Sequence, residues 1–182
     1  MNIPGKNKST EHARVFFSLW PSPELRRKLH ALAVHYQKRF GGRVMRAETL
    51  HLTLLFLGEV QRSKIEELRP RVDEMEFAPF SFCLQRISCW RHNQIAFAAP
   101  EDGAASLLSL SESLRSVVSD AGIEFDRRGF TPHVTLLRKL AQPVEAQSIM
   151  LSDWKVEEFS LVESISDEQG AHYRNLYTWR CG

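Results

Sequence analysis

The stretch His51–Gly58 reads HLTLLFLG, and a second stretch of the same pattern, His133–Arg138, reads HVTLLR. Side chains alternate along a β-strand, so a histidine and the threonine two positions later point to the same face. Each stretch therefore predicts a strand that presents an imidazole beside a hydroxyl and buries aliphatic side chains behind them. With seven histidines and six threonines in 182 residues, chance predicts fewer than one His-x-Thr match.

The segments around these two strands predict one arrangement of elements made twice. In the first half, residues 13–20 (ARVFFSLW) predict a buried strand, and residues 22–40 predict a helix that ends at a glycine pair. In the second half, residues 94–99 (QIAFAA) predict a strand and residues 103–121 predict a helix. Each half then reaches its His-x-Thr strand.

The spacing within the two halves also agrees. The first His-x-Thr histidine lies 36 positions after Val15, and the second lies 38 positions after Ile95. Proteins that contain both helices and strands often alternate the two. Here, in addition, the His-x-Thr motif occurs in both halves at the same point in the order of elements. We therefore predict two pseudo-symmetric lobes within a single domain, residues 13–182, after a disordered lead-in of residues 1–12.

The remaining segments predict further helix and strand. Residues 63–75 predict a helix that is broken or kinked at Pro70. Residues 80–88 (FSFCLQRIS) alternate apolar and polar side chains at their start and predict one strand with a covered face. Residues 156–165 and 172–179 predict the two arms of a hairpin that turns near Gly170.

Composition and charge exclude several classes of protein. Hydrophobic residues make up 43% of the chain and charged residues 25%, as in ordinary globular domains. No apolar run approaches the ~18 residues that span a bilayer, so we predict no membrane partner. The net charge of +2 is small for a protein that coats nucleic acid. Three cysteines without a C-x-x-C pair argue against a disulfide framework or zinc knuckle and favour a reducing cytoplasm (Cys83, Cys89 and Cys181).

Two imidazoles on opposite sides of a cleft can share acid–base catalysis. A free imidazole has a pKa near ~6.5, so one ring can accept a proton while the other donates one. A neighbouring threonine hydroxyl donates a hydrogen bond to an anionic oxygen without adding charge. In-line displacement at phosphorus needs this layout and no metal. Glu48 and Asp126 are the extra candidate ligands, but they show no recurring ligand spacing. We therefore predict neither a metal nor a cofactor.

Three stretches carry a resemblance to a known family. They are HLTLLFLG, FTPHVTLLR (residues 130–138) and RVFFSLWP (residues 14–21). They resemble the 2H phosphoesterases, and within them the RNA 2′,3′-cyclic phosphodiesterase branch, also called 2′-5′ RNA ligase-like. With the order of elements, the resemblance covers nearly the whole chain. It implies a bilobal α+β fold in which two antiparallel-rich sheets with outer helices face each other across a central groove.

The same resemblance implies a reaction and the residues that perform it. The reaction is metal-independent hydrolysis of the 2′,3′-cyclic phosphate at an RNA end, which leaves a 2′-phosphate. By this resemblance His51 is the proton donor and His133 the proton acceptor, an assignment that symmetry alone does not give. Thr53 and Thr135 would hold the phosphoryl oxygens, and Arg138 would bind phosphate.

For each residue that would bind substrate, the sequence leaves two alternatives open. Strict alternation puts Arg138 on the face opposite the histidine of its strand, so either the strand bends or the side chain wraps around. Phe17 and Phe56 are candidates for stacking on a base, with burial in the core as the alternative. Arg127 and Arg128 precede the second motif and either steer an RNA end toward the groove or lie in a solvated loop.

The implied partners are RNA ends or nucleotides that bear a 2′,3′-cyclic phosphate, with no protein partner and a monomeric state. A second hypothesis is a cyclic phosphodiesterase that acts on small nucleotides, such as an ADP-ribose cyclic phosphate or a 2′-5′ oligoadenylate. A third is a module that binds RNA ends or joins them by 2′-5′ ligation. The sequence contains no GxxxxGK[ST] loop, which disfavours ATP-driven ligation.

Overall fold

Three α-helices, two short 3₁₀-helices and eleven β-strands form the regular structure of the described residues, 11–101, 105–151, 153–167 and 170–181, in a computed structural model of the chain. The 3₁₀-helices are Ala47–Thr49 and Arg91–Asn93. The helices are α1 (Pro23–Phe40), α2 (Arg62–Asp73) and α3 (Ala105–Asp120). The strands are β1 (His12–Leu19), β2 (Arg43–Val44), β3 (Leu52–Gln61), β4 (Phe80–Phe82), β5 (Arg86–Trp90), β6 (Ile95–Ala99), β7 (Val134–Arg138), β8 (Gln147–Ser148), β9 (Trp154–Val156), β10 (Glu158–Asp167) and β11 (Gly170–Arg180).

The two His-x-Thr strands are neighbours at the centre of the main sheet. Its order is β11-β10-β1-β3-β7-β6-β5-β8, with β2 also on β7, and its pairs are antiparallel. The halves meet through one residue pair, Leu52 of β3 with Val134 of β7. On one side of this junction lie β1, β10 and β11, and on the other lie β6, β5 and β8. The predicted α+β class with antiparallel sheets is confirmed.

Helix α1 forms where its sequence predicts. The Ser22 hydroxyl accepts a hydrogen bond from the backbone N–H of Leu25 at 3.2 Å, and Pro23 occupies the first turn. Gly41 follows the helix with a φ of 68°, a left-handed conformation that favours glycine. The buried face recurs at helical spacing and comprises Leu25, Leu29, Ala33, Tyr36 and Phe40.

The helices exchange partners between the halves. Helix α1 follows β1 in sequence but packs against β7, whereas α3 follows β6 and packs against β3. Each half therefore covers the His-x-Thr strand of the other, an exchange that links the two halves into one core. Within the described residues, no helix is long and apolar enough to cross a membrane.

A bulge interrupts each His-x-Thr strand directly after its threonine. In β3, Thr53 and Leu55 have cross-strand partners in β1, and Leu54 between them has none there. The same shift occurs where β7 pairs with β6, and there Leu136 is the unpaired residue. Because a bulge inserts one extra residue, it reverses the alternation of the side chains that follow.

The bulges bring the third residue after each threonine to the groove. Both leucines of each Leu-Leu pair are buried, at no more than 3% exposure. Phe56 in β3 and Arg138 in β7 come next, and both line the same cavity as the threonines. Of the two alternatives for Arg138, a bent strand or a side chain that wraps around, the structure shows the bent strand.

Both bulged peptides have their carbonyl groups satisfied. The hydroxyl of buried Ser111, on α3, donates to the carbonyl oxygen of Leu54 at 2.8 Å. The backbone N–H of Met45 donates to the carbonyl oxygen of Leu136 at 2.9 Å. An unpaired buried carbonyl costs free energy, so these two donors stabilise the bulges.

Three sequence predictions differ from the structure in part, and a fourth is confirmed. Residues 80–88 do not form one strand, because β4 pairs with β9 in a separate two-stranded sheet and β5 pairs with β6 in the main sheet. Helix α2 runs through Pro70 to Asp73. The predicted lead-in lies mostly outside the described residues, but His12 already belongs to β1. The predicted hairpin is confirmed, with Asp167 opposite Gly170.

Replacing Ser111 with alanine should destabilise the protein, because it leaves the Leu54 carbonyl buried without its donor. A lost hydrogen bond of this kind lowers the free energy of unfolding by about 1–3 kcal/mol. Urea denaturation measures the change. The control is Ser113→Ala, at an exposed position of the same helix, which should stay within about 0.5 kcal/mol of the wild type. Equal stability of the two variants would contradict the role of Ser111.

Candidate active site

One cavity of about 230 Å³ contains both His-x-Thr pairs. It lies where the two half-sheets meet, because β3 and β7 are neighbours there. The structure brings six of the seven residues predicted for the site to this cavity, from both halves of the chain. The residues that line it are Arg14, Phe16, Met45, Thr49, His51, Thr53, Phe56, His133, Thr135, Arg138, Ser164 and Tyr173.

Hydrogen bonds fix the ring of His51. Its Nδ1 lies 2.8 Å from the carbonyl oxygen of Thr49, and its Nε2 lies 3.1 Å from the hydroxyl of Thr53. A carbonyl oxygen only accepts, so Nδ1 carries the proton and Nε2 of the neutral ring carries the lone pair. Thr49 is itself fixed, since its buried hydroxyl donates to the carbonyl oxygen of Arg46 at 2.8 Å.

His133 is held in the same way from the other half. Its Nδ1 lies 2.7 Å from the carbonyl oxygen of Thr131, again two residues earlier in the chain. This partner also places the ring proton on Nδ1 and leaves Nε2 free of it. The rings of Trp90 and Phe97 pack at its side, with centroids 4.5 and 5.8 Å from that of the imidazole. Both imidazoles therefore have the same tautomer.

Three aromatic rings pack close to the imidazole of His51. The ring centroids of Phe16, Tyr173 and Trp20 lie 4.9, 5.1 and 5.4 Å from its centroid. These rings displace water from the imidazole. A charged imidazole in such surroundings loses hydration that the rings replace only in part.

Burial lowers the pKa of both histidines. The pKa of His51 falls from 6.5 to about 4, chiefly because burial disfavours the imidazolium. The hydrogen bond to the Thr49 carbonyl opposes this change, and the positive charges of His133 and Arg138 add to it. Burial also lowers the pKa of His133, against the hydrogen bond to Thr131. Without substrate, both rings are neutral at pH 7.

Two arginines supply positive charge to the cavity. Arg138 reaches it through the bulge, with its side chain exposed. Arg14 comes from β1, and its guanidinium carbon lies 4.8 Å from the centroid of the Phe56 ring. Arg14 was not among the predicted site residues, although the alternation of side chains along β1 places it on the same face as Phe16.

The structure corrects the hypothesis that Phe17 stacks on a base and places this residue in the core, which was the alternative. Phe17 is fully buried, with its ring centroid 6.0 Å from that of Phe159 and 5.9 Å from that of Trp179. Phe16, one residue earlier, lines the cavity instead. The register explains the difference, because Phe16 pairs with Phe56 at the cavity, whereas Phe17 pairs with a buried leucine of β3.

The other polar candidates lie outside the cavity that contains the two His-x-Thr pairs. Arg128 forms an ion pair with Asp126, and Arg127 lies near the ring of Phe125. Glu48 faces Arg46 at 3.5 Å. Within the described residues, no group of three His, Cys, Asp or Glu side chains is arranged to hold a metal ion.

Comparison with known proteins identifies the family. The family described as LigT like Phosphoesterase matches residues 19–96. An RNA 2′,3′-cyclic phosphodiesterase of Thermus thermophilus is 30% identical over 176 residues, which cover 90% of this chain and 87% of that protein. The chain belongs to the LigT-like phosphoesterase family. A second relative, an RNA 2′,3′-cyclic phosphodiesterase of Escherichia coli (strain K12), is 29% identical over 172 residues, covering 93% of this chain and 97% of that protein.

Solved structures of the LigT-like family share the fold. Escherichia coli LigT complexed with 3′-AMP matches with a TM-score of 0.81 and 27% identity, covering 94% of this chain and 99% of that one. The Thermus thermophilus protein TT0787 matches with a TM-score of 0.76 and 30% identity, covering 92% and 97%. The prediction of two pseudo-symmetric lobes and the family resemblance are confirmed.

The imidazole of His51 should titrate well below its ordinary range in the ligand-free protein. We expect a pKa of about 4, because burial disfavours its charged form. The measurement is an NMR titration of the ring nitrogens, with His51→Gln used to assign the signal. Inorganic phosphate should raise the pKa, since a nearby anion favours the imidazolium. A ligand-free value at or above 6.5 would contradict the burial that the structure gives this ring.

Proposed function

We propose that this LigT-like protein hydrolyses the 2′,3′-cyclic phosphate at RNA ends to a 2′-phosphate, with His51 as general acid and His133 as general base. The observation that carries the proposal is the pair of matched imidazoles in one cavity, each with its Nδ1 proton held by a carbonyl. The relatives named RNA 2′,3′-cyclic phosphodiesterase support the same reaction.

The base acts first on water. Neutral His133 accepts a proton at Nε2 from a water molecule, whose oxygen forms a bond to phosphorus. The P–O3′ bond breaks in line with this attack, and O2′ keeps the phosphoryl group. His51 donates its Nε2 proton to the departing O3′, so the product is a 2′-phosphate with a free 3′-hydroxyl. His133 gains one proton from water and His51 loses one to O3′, so the reaction leaves the total number of protons on the two imidazoles unchanged.

The acid must be charged when it acts, although burial favours the neutral ring. The negative charge of a bound cyclic phosphate opposes the effect of burial and raises the pKa of His51. The Thr49 carbonyl assists, because its hydrogen bond favours the imidazolium. The acid therefore becomes competent as the substrate enters.

The phosphoryl oxygens need donors other than the catalytic rings. Thr53 and Thr135 line the cavity beside their histidines, and their hydroxyls can donate to these oxygens. Arg138 adds a guanidinium, whose fork of N–H groups matches a phosphate. Phe56 offers an aromatic face to a base. The division of acid and base between His51 and His133 comes from the family resemblance, because the two half-sites are nearly equivalent.

The chain would act as a monomer, in one domain of residues 13–182, without a cofactor, since proton transfer and hydrogen bonding supply the chemistry. A cytoplasmic location is supported by the three cysteines, which are free (Cys83, Cys89 and Cys181).

Each catalytic imidazole should be essential, and each threonine should matter less. His51→Ala and His133→Ala should each lower kcat by about 10²–10⁴-fold, the usual contribution of an acid or a base. Thr53→Val and Thr135→Val should each cost about 1.5–3 kcal/mol, or roughly 10–150-fold. Steady-state kinetics on a 2′,3′-cyclic phosphate oligomer measure these losses. His35→Ala, on an exposed position of α1, is the control. Near-wild-type rates for either catalytic variant would refute the assignment.

Hydrolysis in EDTA should proceed at the full rate and give a single product. The proposed mechanism requires no metal, and its acid donates a proton to O3′, so phosphorus NMR should detect only a 2′-phosphate. Loss of turnover in EDTA with recovery on adding a divalent ion would overturn the metal-independent mechanism. A 3′-phosphate product would show that the substrate lies in the opposite orientation.

A further inference from the structure

A second cavity of about 590 Å³ adjoins the catalytic cavity. Four residues line both cavities: Arg14, Thr53, Phe56 and His133. His51 lines the catalytic cavity but not the second one, so the second cavity opens on the His133 side of the site. Beyond the shared wall it is lined by side chains from the β5–β6 connection, from α3 and from the loop before β7.

The second cavity is larger than the catalytic cavity, and this difference indicates which part of the substrate each one can hold. Sites that enclose a drug-sized ligand have volumes of roughly 300–1,000 Å³. The catalytic cavity, at about 230 Å³, lies below this range, and the second cavity, at about 590 Å³, lies within it. The catalytic cavity therefore suits the cyclic phosphate and its ribose, with space for more of the ligand next to it.

The lining of the second cavity has the chemistry of single-stranded nucleic acid recognition. Trp90 and Phe130 supply aromatic side chains on which bases can stack, and Phe56 stands on the shared wall. Arg14 and Arg115 supply positive charge from two different elements. Aromatic side chains interleaved with arginines form the pattern that such sites use.

The charge of this cavity remains positive when its carboxylate is included. Asp126 is the single carboxylate among the described residues that line it, and Arg128 pairs with it through two nitrogens, with Nε at 2.9 Å. Arg115 donates from Nη2 to the carbonyl oxygen of Arg128 at 2.7 Å, which fixes both the loop and its own side chain. Arg14 and Arg115 thus give the cavity its net charge.

We propose that the second cavity binds the nucleotide that precedes the cyclic-phosphate nucleotide, so that the enzyme selects oligoribonucleotide ends over cyclic mononucleotides. The phosphodiester between the two nucleotides lies near Arg14 and Arg115, and the preceding base stacks on Trp90 or Phe130. The strand then enters the groove past His133. This inference rests on the proposed function, since it specifies the substrate of the same site.

The test compares adenosine 2′,3′-cyclic phosphate with the adenylyl dinucleotide and trinucleotide that carry the same end. In the wild type, kcat/KM should rise about tenfold or more from the mononucleotide to the dinucleotide, because one base and one phosphate gain partners. Arg115→Gln and Phe130→Leu should each lower kcat/KM for the dinucleotide about tenfold and leave the mononucleotide value unchanged. Arg127→Gln is the control, since Arg127 neighbours Arg128 in sequence but does not line this cavity.

Two results would overturn the inference. One is equal kcat/KM for the mononucleotide and the dinucleotide. The other is an equal loss on both substrates in Arg115→Gln and Phe130→Leu, which would mean that the cavity takes the base of the terminal nucleotide instead.

Binding provides a second readout that does not depend on turnover. The Kd values of adenosine 2′-phosphate and of the dinucleotide with a 2′-phosphate end can be measured by quenching of tryptophan fluorescence. Tighter binding of the dinucleotide by about tenfold, lost in Arg115→Gln, is the expected result, and equal Kd values would overturn the inference. Tighter binding without hydrolysis of any substrate would refute the proposed function and leave the binding site standing.

Discussion

The β-bulges at Leu54 and Leu136 determine which side chains reach the groove. With unbroken alternation, the third residue after each threonine would point into the core. For Arg138 that would bury a guanidinium without a partner, at a cost of several kcal/mol. The extra residue places it in the cavity and lets two consecutive leucines pack behind each strand. Ser111 and the backbone of Met45 hold the bulges by satisfying their carbonyl groups. Core packing and site geometry therefore depend on the same irregularity.

The surroundings of the imidazoles then control their protonation. Burial removes charge from both rings in the empty cavity, most strongly from His51. The carbonyls of Thr49 and Thr131 hold Nδ1–H whether the rings are neutral or charged, so Nε2 is the atom that exchanges protons with a ligand. A bound phosphate supplies the negative charge that the cavity lacks. In the proposed mechanism, acid and base chemistry are thereby coupled to the presence of substrate.

Local patterns in the sequence were sufficient for much of this architecture. The His-x-Thr-Leu-Leu repeats predicted both central strands, and the Ser22 cap with its apolar face predicted α1. The predictions that failed concerned features that depend on contacts between distant segments of the chain. The exchange of Phe16 for Phe17 at the cavity follows from the register of β1 on β3, and the split of residues 80–88 follows from partners in two different sheets. Both histidine rings face the carbonyl of a threonine two residues earlier, and the spacing Thr-x-His-x-Thr that the two motifs share is the signal in the sequence that marks this contact.

The pH dependence of kcat/KM tests the two-imidazole arrangement most directly. With one ring neutral and the other charged, the profile should be bell-shaped, with two apparent pKa values that belong to the coupled pair. Because burial lowers both values in the free protein, the optimum should lie on the acid side of 6.5, and the profile of kcat should lie at higher pH, where bound phosphate has raised both. A profile with a single limb, or one that keeps both limbs in His133→Ala, would contradict a site in which two histidines divide the work.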